Sequence, residues 1–321
     1  MTSSTTFTAS EADPDASLFA AATLEGLGGA QKSLPCQFLY DERGSDLFEQ
    51  ITTVPEYYPT RTEIGILGRF VHEIVAETPA GAVLVEFGSG SSRKTEILLE
   101  AFDKLAAYVP IDVSASALEE ARVRLAKRFP ALRVQPVVGD FRADLVLPED
   151  LASRPRIGFF PGSTIGNFQP AEAVDLMRTM RASLGDDARL IVGVDLRKPL
   201  SALLPAYNDS AGITAAFNKN LLVRANRELG ADFDLDGFAH AAIFNDRKSR
   251  IEMHLVSRQE QTVSLLGRRF AFRPGETIHT ENSHKFSISD FQMLARASGW
   301  LPGRVWTDEA PLFSVHELVA D

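Results

Sequence analysis

The sequence predicts an α/β fold with a mostly parallel, doubly wound sheet and a second region of mixed α and β structure. From about residue 82 onward, short apolar runs alternate with longer amphipathic runs, which is the pattern of repeated strand–helix units. The short runs are almost continuously apolar, as expected for strands that are buried on both faces. This rhythm stops after Asp195, so the remainder of the chain is predicted to follow a different architecture.

The candidate elements of the doubly wound region follow one another in order. Ser114 predicts the N-cap of one helix, and Pro170 and Gly185 predict the first turn and the end of the next. The predicted strands are 82–87, 107–113, 132–140, 157–162 and 188–196, and the predicted helices are 92–106, 114–130 and 170–185.

The second half of the chain divides into three parts. Residues 197–250 predict mainly helix, residues 250–285 predict strands with a turn at 273–275, and residues 286–321 return to a helix followed by strands. The predicted organisation is a disordered tail at 1–17, a doubly wound core from 65–196 and 286–321, and a substrate-binding α+β domain from 18–64 and 197–285.

Composition excludes some classes of protein. Lys and Arg number 33 against 43 Asp and Glu, and the net charge of −10 argues against binding to a phosphate backbone. A single cysteine, Cys36, cannot form an intrachain disulfide and fits a reducing compartment. The N-terminus lacks the pattern of a signal peptide, and no apolar run has membrane-spanning length. We expect a cytoplasmic monomer with a small-molecule substrate and neither a nucleic-acid nor a membrane partner.

A glycine-rich turn directly follows the strand predicted at 82–87. It reads Glu-Phe-Gly-Ser-Gly, with glycines at Gly88 and Gly90, and a helix is predicted to follow it. Glycines allow the backbone to turn tightly and to approach a ligand, while the helix offers free N–H groups. Arg93 replaces the third glycine of a dinucleotide fingerprint, and the Gly-Lys-Ser/Thr of a phosphate loop is absent. The turn therefore suits a nucleoside better than a diphosphate.

Two acidic residues end the next two predicted strands. Asp112 is placed to accept hydrogen bonds from ribose hydroxyls, as the acid does in dinucleotide folds. Asp140 can accept from an adenine amino group, and Phe141 beside it can pack on the ring. Each acid by itself is also typical of a cap or a turn. The glycine-rich turn and these two acids follow three successive strands in order. Together they predict an S-adenosylmethionine site in a Rossmann-like methyltransferase core.

Longer stretches of the chain resemble the histidine-specific Nα-methyltransferases of ergothioneine biosynthesis. The stretches that carry the resemblance are KSLPCQFLYDERGSDLFEQIT (32–52), PEYYPTRTE (55–63), VEFGSGSSRKT (85–95), GDF (139–141), FPGSTIGNF (160–168), AYNDSAGITAAFNKN (206–220), NRELGADFDLDGF (226–238) and RIEM (250–253). The resemblance implies S-adenosylmethionine contacts at Gly88, Lys94, Asp112, Asp140 and Phe141. It implies amino-acid contacts at Tyr57, Gly162, Asn167, Tyr207, Glu281 and Ser283, with Tyr40 and Met253 nearby.

The chemistry of a free amino acid supports several of these positions. Tyr57 lies between prolines in a loop that can present its hydroxyl, although tyrosines are more often packing residues. Asn167 follows the fourth predicted strand at the ligand-facing edge, where its amide can accept from the amine and donate to the carboxylate. Glu281 and Ser283 alternate on a predicted strand, so both can face an imidazole ring from one side, although the pattern alone favours the solvated face of an edge strand.

We expect no metal ion, because His279 and His284 lack a matching third ligand cluster in the sequence. The expected reaction is a direct methyl transfer without a covalent intermediate. The sequence identifies no base for the amine, and a tyrosine hydroxyl or an ordered water fits that role. The alternatives are a methyltransferase of tyrosine or tryptophan, a non-catalytic nucleoside-binding regulator, and an RNA methyltransferase, of which the negative charge disfavours the last.

Overall fold

The computed structural model describes residues 14–90, 93–143, 147–151 and 153–321. Most of the predicted disordered tail, residues 1–13, lies outside the described residues, whereas its residues 14–17 are helical. The helices are α1 (Pro14–Gly28), α2 (Glu42–Ile51), α3 (Tyr58–Val75), α4 (Arg93–Ala101), α5 (Ala115–Arg128), α6 (Pro170–Leu184), α7 (Leu200–Ala206), α8 (Ile213–Leu229) and α9 (Ile288–Ala297). The strands are β1 (Lys32–Ser33), β2 (Ala82–Phe87), β3 (Leu105–Asp112), β4 (Val137–Val138), β5 (Arg156–Phe160), β6 (Arg189–Asp195), β7 (Phe238–Asn245), β8 (Arg250–Ser257), β9 (Gln261–Leu265), β10 (Arg268–Phe272), β11 (Thr277–His284), β12 (Trp300–Thr307) and β13 (Phe313–Ala320).

The largest sheet has the strand order β12-β13-β6-β5-β2-β3-β4. The five strands β6, β5, β2, β3 and β4 run parallel to one another. Strand β13 runs antiparallel to both β6 and β12. The chain order reverses between β2 and β5, and ligands of doubly wound sheets bind at the strand ends beside such a reversal. The predicted α/β fold class is confirmed.

The strands of this sheet are buried because helices cover both of its faces. Val83 and Val85 pack in one apolar cluster with residues of α6 and α9, and Leu84 between them packs in another with residues of α3 and α4. All six residues of β2 are buried, including Glu86 within its otherwise apolar sequence.

The chain divides into two compact units. The larger contains Phe48–Gly212, Ala242–Glu252 and Asn282–Asp321, and the smaller contains the described chain up to Leu47, Ile213–Ala241 and Met253–Glu281. Residues 48–64, 197–212, 242–252 and 282–285 lie in the larger unit, whereas the sequence pattern predicts them in the substrate-binding domain. The predicted boundary at 64 falls inside α3, which packs on the large sheet through Ile66 and Leu67. The assignment of substrate binding to the smaller region stays a prediction.

The smaller unit has its own aromatic core. The ring of Phe238 lies edge-on to Phe272 and Phe233, with centroids 5.2 and 5.8 Å away. Strands β9 and β10 form an antiparallel hairpin whose turn holds Leu266 and Gly267 at φ values of 47° and 76°. Strand β1 pairs in parallel with β11.

Two predicted elements differ from the structure. Strand β7 lies within residues 197–250, which the sequence pattern predicts as mainly helical. Its sequence, FAHAAIFN, has three alanines and no strict alternation, and alanine favours helix. The strand predicted at 132–140 is reduced to the two residues of β4 and a bridge at Val134.

Among the described helices, none has the length and apolar character required to cross a bilayer.

A glycine in β5 provides a test of how tightly this core is filled. A Cβ atom at Gly158 would lie 2.6 Å from Leu184 Cδ1 and 2.7 Å from Leu190 Cδ1. We expect Gly158→Ala to lower the free energy of unfolding by about 1–3 kcal/mol, because the added methyl group overpacks the core. Gly65→Ala, in α3 with no atom within 4 Å of its Cβ, is the control and should stabilise by up to ~1 kcal/mol. Urea unfolding measures both, and an unchanged midpoint for Gly158→Ala would contradict the tight packing.

Candidate active site

The glycine turn folds back on the strand beside it. Gly88 and Ser89 donate their backbone N–H groups to the carbonyl oxygen of Ile111, at 2.9 and 3.1 Å. Gly88 and Gly90 have φ values of 70° and 47°, which favour glycine. A Cβ atom at Gly88 would come within 3.1 Å of the Phe141 ring, so glycine also leaves room for that aromatic side chain. Ser91 and Ser92 of the predicted motif lie outside the described residues.

Asp112 is held at the end of β3 by the backbone around it. One carboxylate oxygen accepts the N–H of Gly90 and the other accepts the N–H of Ser114, both at 3.0 Å. The carboxylate thus joins the glycine turn to the N-terminus of α5. Each oxygen retains a further lone pair that can accept a hydroxyl proton.

Asp140 and Phe141 follow β4. Both oxygens of Asp140 accept from the guanidinium of Arg142, whose Nε lies 2.9 Å from each. Burial acts to raise the pKa of Asp140, but the hydrogen bonds and charge of Arg142 hold it below its usual value. The ring of Phe141 lies edge-on to Phe160 with centroids 5.6 Å apart. Asp140 is therefore ionised and already paired, and a nucleobase amino group would share it with Arg142.

Lys94 is anchored by the carboxylate of Glu63, which is not predicted from the sequence as a site residue. The Nζ of Lys94 lies 2.6 Å from Oε2 of Glu63, a residue of α3 that is fully buried. Both oxygens of Glu63 also accept the N–H of Gly162, at 3.0 Å. Glu63 therefore links the predicted cofactor lysine to the loop after β5.

The loop from Gly162 to Asn167 is fixed at several points. Ser163 has a φ of 59°, and its hydroxyl oxygen accepts the N–H of Asp195 at 2.9 Å. A Cβ atom at Gly166 would lie 2.9 Å from the carbonyl oxygen of His284. The loop thus lies against the ends of β6 and β11, and Asn167 ends its short 3-10 turn.

Two predicted tyrosines lie close together. The rings of Tyr57, which precedes α3, and Tyr207, which follows α7, meet edge to face with centroids 6.4 Å apart. The hydroxyl oxygen of Tyr207 is 2.7 Å from Oγ of Ser283. The structure therefore brings together three of the residues predicted to contact the amino acid.

A buried ion cluster lies behind these residues. The carboxylate of Asp195, at the end of β6, accepts from the ammonium of Lys285 at 2.6 Å, from the ammonium of Lys198, and from the hydroxyl of Tyr58 at 2.7 Å. Burial acts to raise the pKa of Asp195, and the two lysine charges hold it below its usual value. Burial also lowers the pKa of Lys198 to about 8. In this cluster, one carboxylate forms ion pairs with two lysine ammonium groups.

Lys285 extends this cluster to the predicted substrate residues. Its ammonium donates to the hydroxyl oxygen of Tyr207 at 2.7 Å and to Oγ of Ser283 at 2.8 Å. Neither Lys285 nor Asp195 is predicted from the sequence as a site residue, although both carry a signal there. Asp195 ends a strand as Asp112 does, and Lys285 continues the alternation of Glu281 and Ser283.

The other predicted substrate residues belong to the smaller unit. Tyr40 follows the 3-10 turn Cys36–Leu39, and its ring lies edge-on to Phe217 at 5.4 Å. Met253 is buried in β8, and its carbonyl oxygen accepts from the Thr280 hydroxyl at 3.0 Å. Glu281 is buried in β11, whereas the strand pattern alone favours a solvated face. Their contacts with an amino acid stay predictions.

The Glu63 carboxylate generates a stability prediction. We expect Glu63→Gln to lower the free energy of unfolding by about 1–3 kcal/mol, because it removes the charge that pairs with Lys94 and weakens the bonds to Gly162. Affinity for S-adenosylmethionine should fall as well, since Lys94 loses its anchor. The control is Glu96→Gln on α4, whose partners Arg124 and Arg128 are exposed, and which should cost below about 1 kcal/mol. Equal urea midpoints for the two variants would contradict an anchoring role.

Comparisons with known proteins extend over nearly the whole chain. A family model described as a histidine-specific, S-adenosylmethionine-dependent methyltransferase matches residues 19–320. Histidine N-alpha-methyltransferases of Mycolicibacterium smegmatis and Mycobacterium tuberculosis are 42% and 40% identical over 299 residues, which are 90% of this chain and 91% of each relative. Ergothioneine biosynthesis protein 1 of Neurospora crassa is 31% identical over 86% of this chain and 32% of its own length. The chain belongs to the family of histidine-specific, S-adenosylmethionine-dependent methyltransferases.

Proposed function

We propose that this enzyme methylates the α-amino nitrogen of free L-histidine up to three times, giving hercynine, as the first step of ergothioneine biosynthesis. The observation that carries the proposal is the 42% identity, over 90% of the chain, to a protein named histidine N-alpha-methyltransferase. The single cysteine and the acidic composition support a cytoplasmic enzyme without a nucleic-acid partner, and we take it to act as a monomer.

The geometry of the glycine turn supports S-adenosylmethionine as the methyl donor. The turn after β2 offers a closely packed backbone at Gly88, and Asp112 beside it is oriented by two backbone N–H groups. We assign Asp112 to the ribose hydroxyls, Phe141 and Asp140 to the adenine, and Lys94 to the methionine carboxylate. All five predicted cofactor residues belong to the larger unit.

The amino-acid end of the site is assigned to Tyr57, Asn167 and Tyr207, which hold the amine and the carboxylate. S-adenosylmethionine supplies an electrophilic methyl carbon; the amine lone pair forms the N–C bond while the S–C bond breaks and its electrons remain on sulfur. The residues of the chain act mainly by alignment, which can contribute up to ~10 kcal/mol to lowering the barrier.

The amine must lose a proton to solvent or to a neighbouring base before each transfer. Tyr57 and Tyr207, which are assigned to the amine and the carboxylate, carry hydroxyl groups from which an ordered water can relay the proton. The sequence of transfers ends at the third methyl group, because a quaternary nitrogen has no lone pair.

A product analysis tests the proposed reaction. The enzyme should convert L-histidine and S-adenosylmethionine to mono-, di- and trimethylated products, with every methyl group on the α-nitrogen by NMR. A mass-spectrometric screen of the twenty amino acids should give histidine the highest kcat/KM, and N-acetylhistidine, whose amine is blocked, should not react. Ring methylation, or a preference for tyrosine or tryptophan, would contradict the proposal.

We propose that the carboxylate of Glu281 accepts a hydrogen bond from the imidazole N–H of the substrate. A substrate without that N–H would leave a buried carboxylate without its ligand partner, which penalises other amino acids. Glu281→Ala should lower kcat/KM for histidine about 10- to 150-fold and narrow the preference for histidine over tryptophan, while the affinity for S-adenosylmethionine remains close to that of the native enzyme.

The matched control for this prediction is Glu276→Ala, which removes a carboxylate that precedes the same strand and pairs with Lys32. This variant should keep the native ratio of histidine to tryptophan. If Glu281→Ala also keeps that ratio, Glu281 does not recognise the imidazole.

A further inference from the structure

We infer that Lys285 is a positioning residue: it makes Ser283 a hydrogen-bond donor towards the substrate, so that the site selects a neutral imidazole whose ring nitrogen offers a lone pair. This inference rests on the proposed function and on the prediction from the sequence that Ser283 faces the imidazole ring of the substrate. It adds a residue outside the predicted site and specifies the protonation state of the ring that binds.

Each N–H group of the Lys285 ammonium has a hydrogen-bond acceptor. The ammonium has three N–H groups, and three oxygens surround it: Oδ2 of Asp195 at 2.6 Å, the Tyr207 hydroxyl at 2.7 Å and Oγ of Ser283 at 2.8 Å. The side chain is fully buried. Because an ammonium can only donate, each of the two hydroxyl oxygens must accept one of its protons.

The contact between the two hydroxyls then fixes the role of Ser283. A hydroxyl has one proton and two lone pairs, and the oxygens of Tyr207 and Ser283 are 2.7 Å apart. Either hydroxyl could be the donor by distance alone; because a phenol is more acidic than an aliphatic hydroxyl, and Lys285 lies 4.7 Å from the centre of the Tyr207 ring, we assign Tyr207 as the donor of this pair. Ser283 accepts from both neighbours, and its own proton is left to be donated.

A donor at this position discriminates among ring types. A neutral imidazole offers one nitrogen lone pair, whereas an imidazolium ring offers none and a phenyl ring has no nitrogen. Without Lys285, Ser283 would regain a lone pair and could present either a donor or an acceptor. Lys285 thereby contributes to selectivity for histidine, although the contact with the substrate is assigned to Ser283.

The chain contains a matched control in Lys198. Both lysines are buried and both pair with Asp195, so removal of either leaves that carboxylate with one lysine. The Lys198 ammonium donates instead to Asp195, to the Tyr58 hydroxyl and to the carbonyl oxygen of Leu196. A comparison of the two lysines therefore separates the contact with Ser283 from the charge balance at Asp195.

The experiment is a double-mutant cycle on selectivity. Dissociation constants for L-histidine and L-phenylalanine are measured by calorimetry, directly or by competition, with enzyme saturated by S-adenosylhomocysteine. The variants are Lys285→Met, Ser283→Ala, their combination, and Lys198→Met. We expect Ser283→Ala and Lys285→Met each to reduce the preference for histidine over phenylalanine about tenfold, and the combination to reduce it no further. Lys198→Met should keep the native preference to within about twofold.

Three outcomes would overturn the inference: an unchanged preference in Lys285→Met, additive effects in the combination, or an equal loss in Lys198→Met. Binding of S-adenosylmethionine establishes that each variant is folded. If Lys285→Met does not bind it, Lys285→Gln replaces that variant, because its neutral amide can donate to only two of the three oxygens and should also reduce the preference. The native enzyme tests the proposed function separately: absence of histidine methylation contradicts the function, whereas normal methylation with an additive cycle contradicts only the role of Lys285.

Discussion

The ion pair between Asp195 and Lys285 is the interaction on which the amino-acid side of the larger unit depends. A carboxylate and an ammonium that are both fully buried would each cost several kcal/mol without the other. Their pairing fixes the end of β6 relative to the segment that follows β11, and Tyr58 brings the start of α3 to the same carboxylate. Tyr207 reaches the cluster through Lys285. A single buried charge thus determines where several separate segments of the chain meet.

Glu63 has an equivalent role on the cofactor side. It is fully buried in α3, pairs with Lys94 on α4 and accepts the N–H of Gly162. The loop after β5 is consequently held from two directions, by Glu63 at its first residue and by the backbone of Asp195 at Ser163. Methyl transfer needs two reactants in line, and loops held by buried carboxylates keep their positions with little loss of conformational entropy on binding.

The sequence predicted the doubly wound core well because its signals are local. The apolar run of β2 gives the observed bounds of that strand, and Ser114 caps α5 by accepting from Ala117 at 3.2 Å. Predictions failed where local and tertiary preferences disagree. Strand β7 is rich in alanine and forms a strand through its pairing with β8, so tertiary pairing overrides its helix preference.

The candidate site shows the same division. The glycine turn and the strand-end acids could be found from spacing along the chain, and the longer motifs predict the amino-acid contacts. Glu63 and Lys285 could not be found in this way, because their roles depend on partners that lie 99 and 90 positions away, at Gly162 and Asp195. A carboxylate on an amphipathic helix has the sequence pattern of a solvent-facing residue, and only the folded chain shows that Glu63 is buried.

Strand β13 has a consequence for the order in which the chain folds. It is inserted between β6 and β12, and Ser314 donates its hydroxyl proton to the carbonyl oxygen of Val194, 120 positions earlier. Until residues 313–320 have been synthesised, β6 lacks a neighbour on that side and exposes a row of backbone N–H and C=O groups. A chain that lacks these residues therefore has an unfinished sheet edge at β6. Early closure of the five parallel strands is expected to precede a slow, long-range step that completes the sheet.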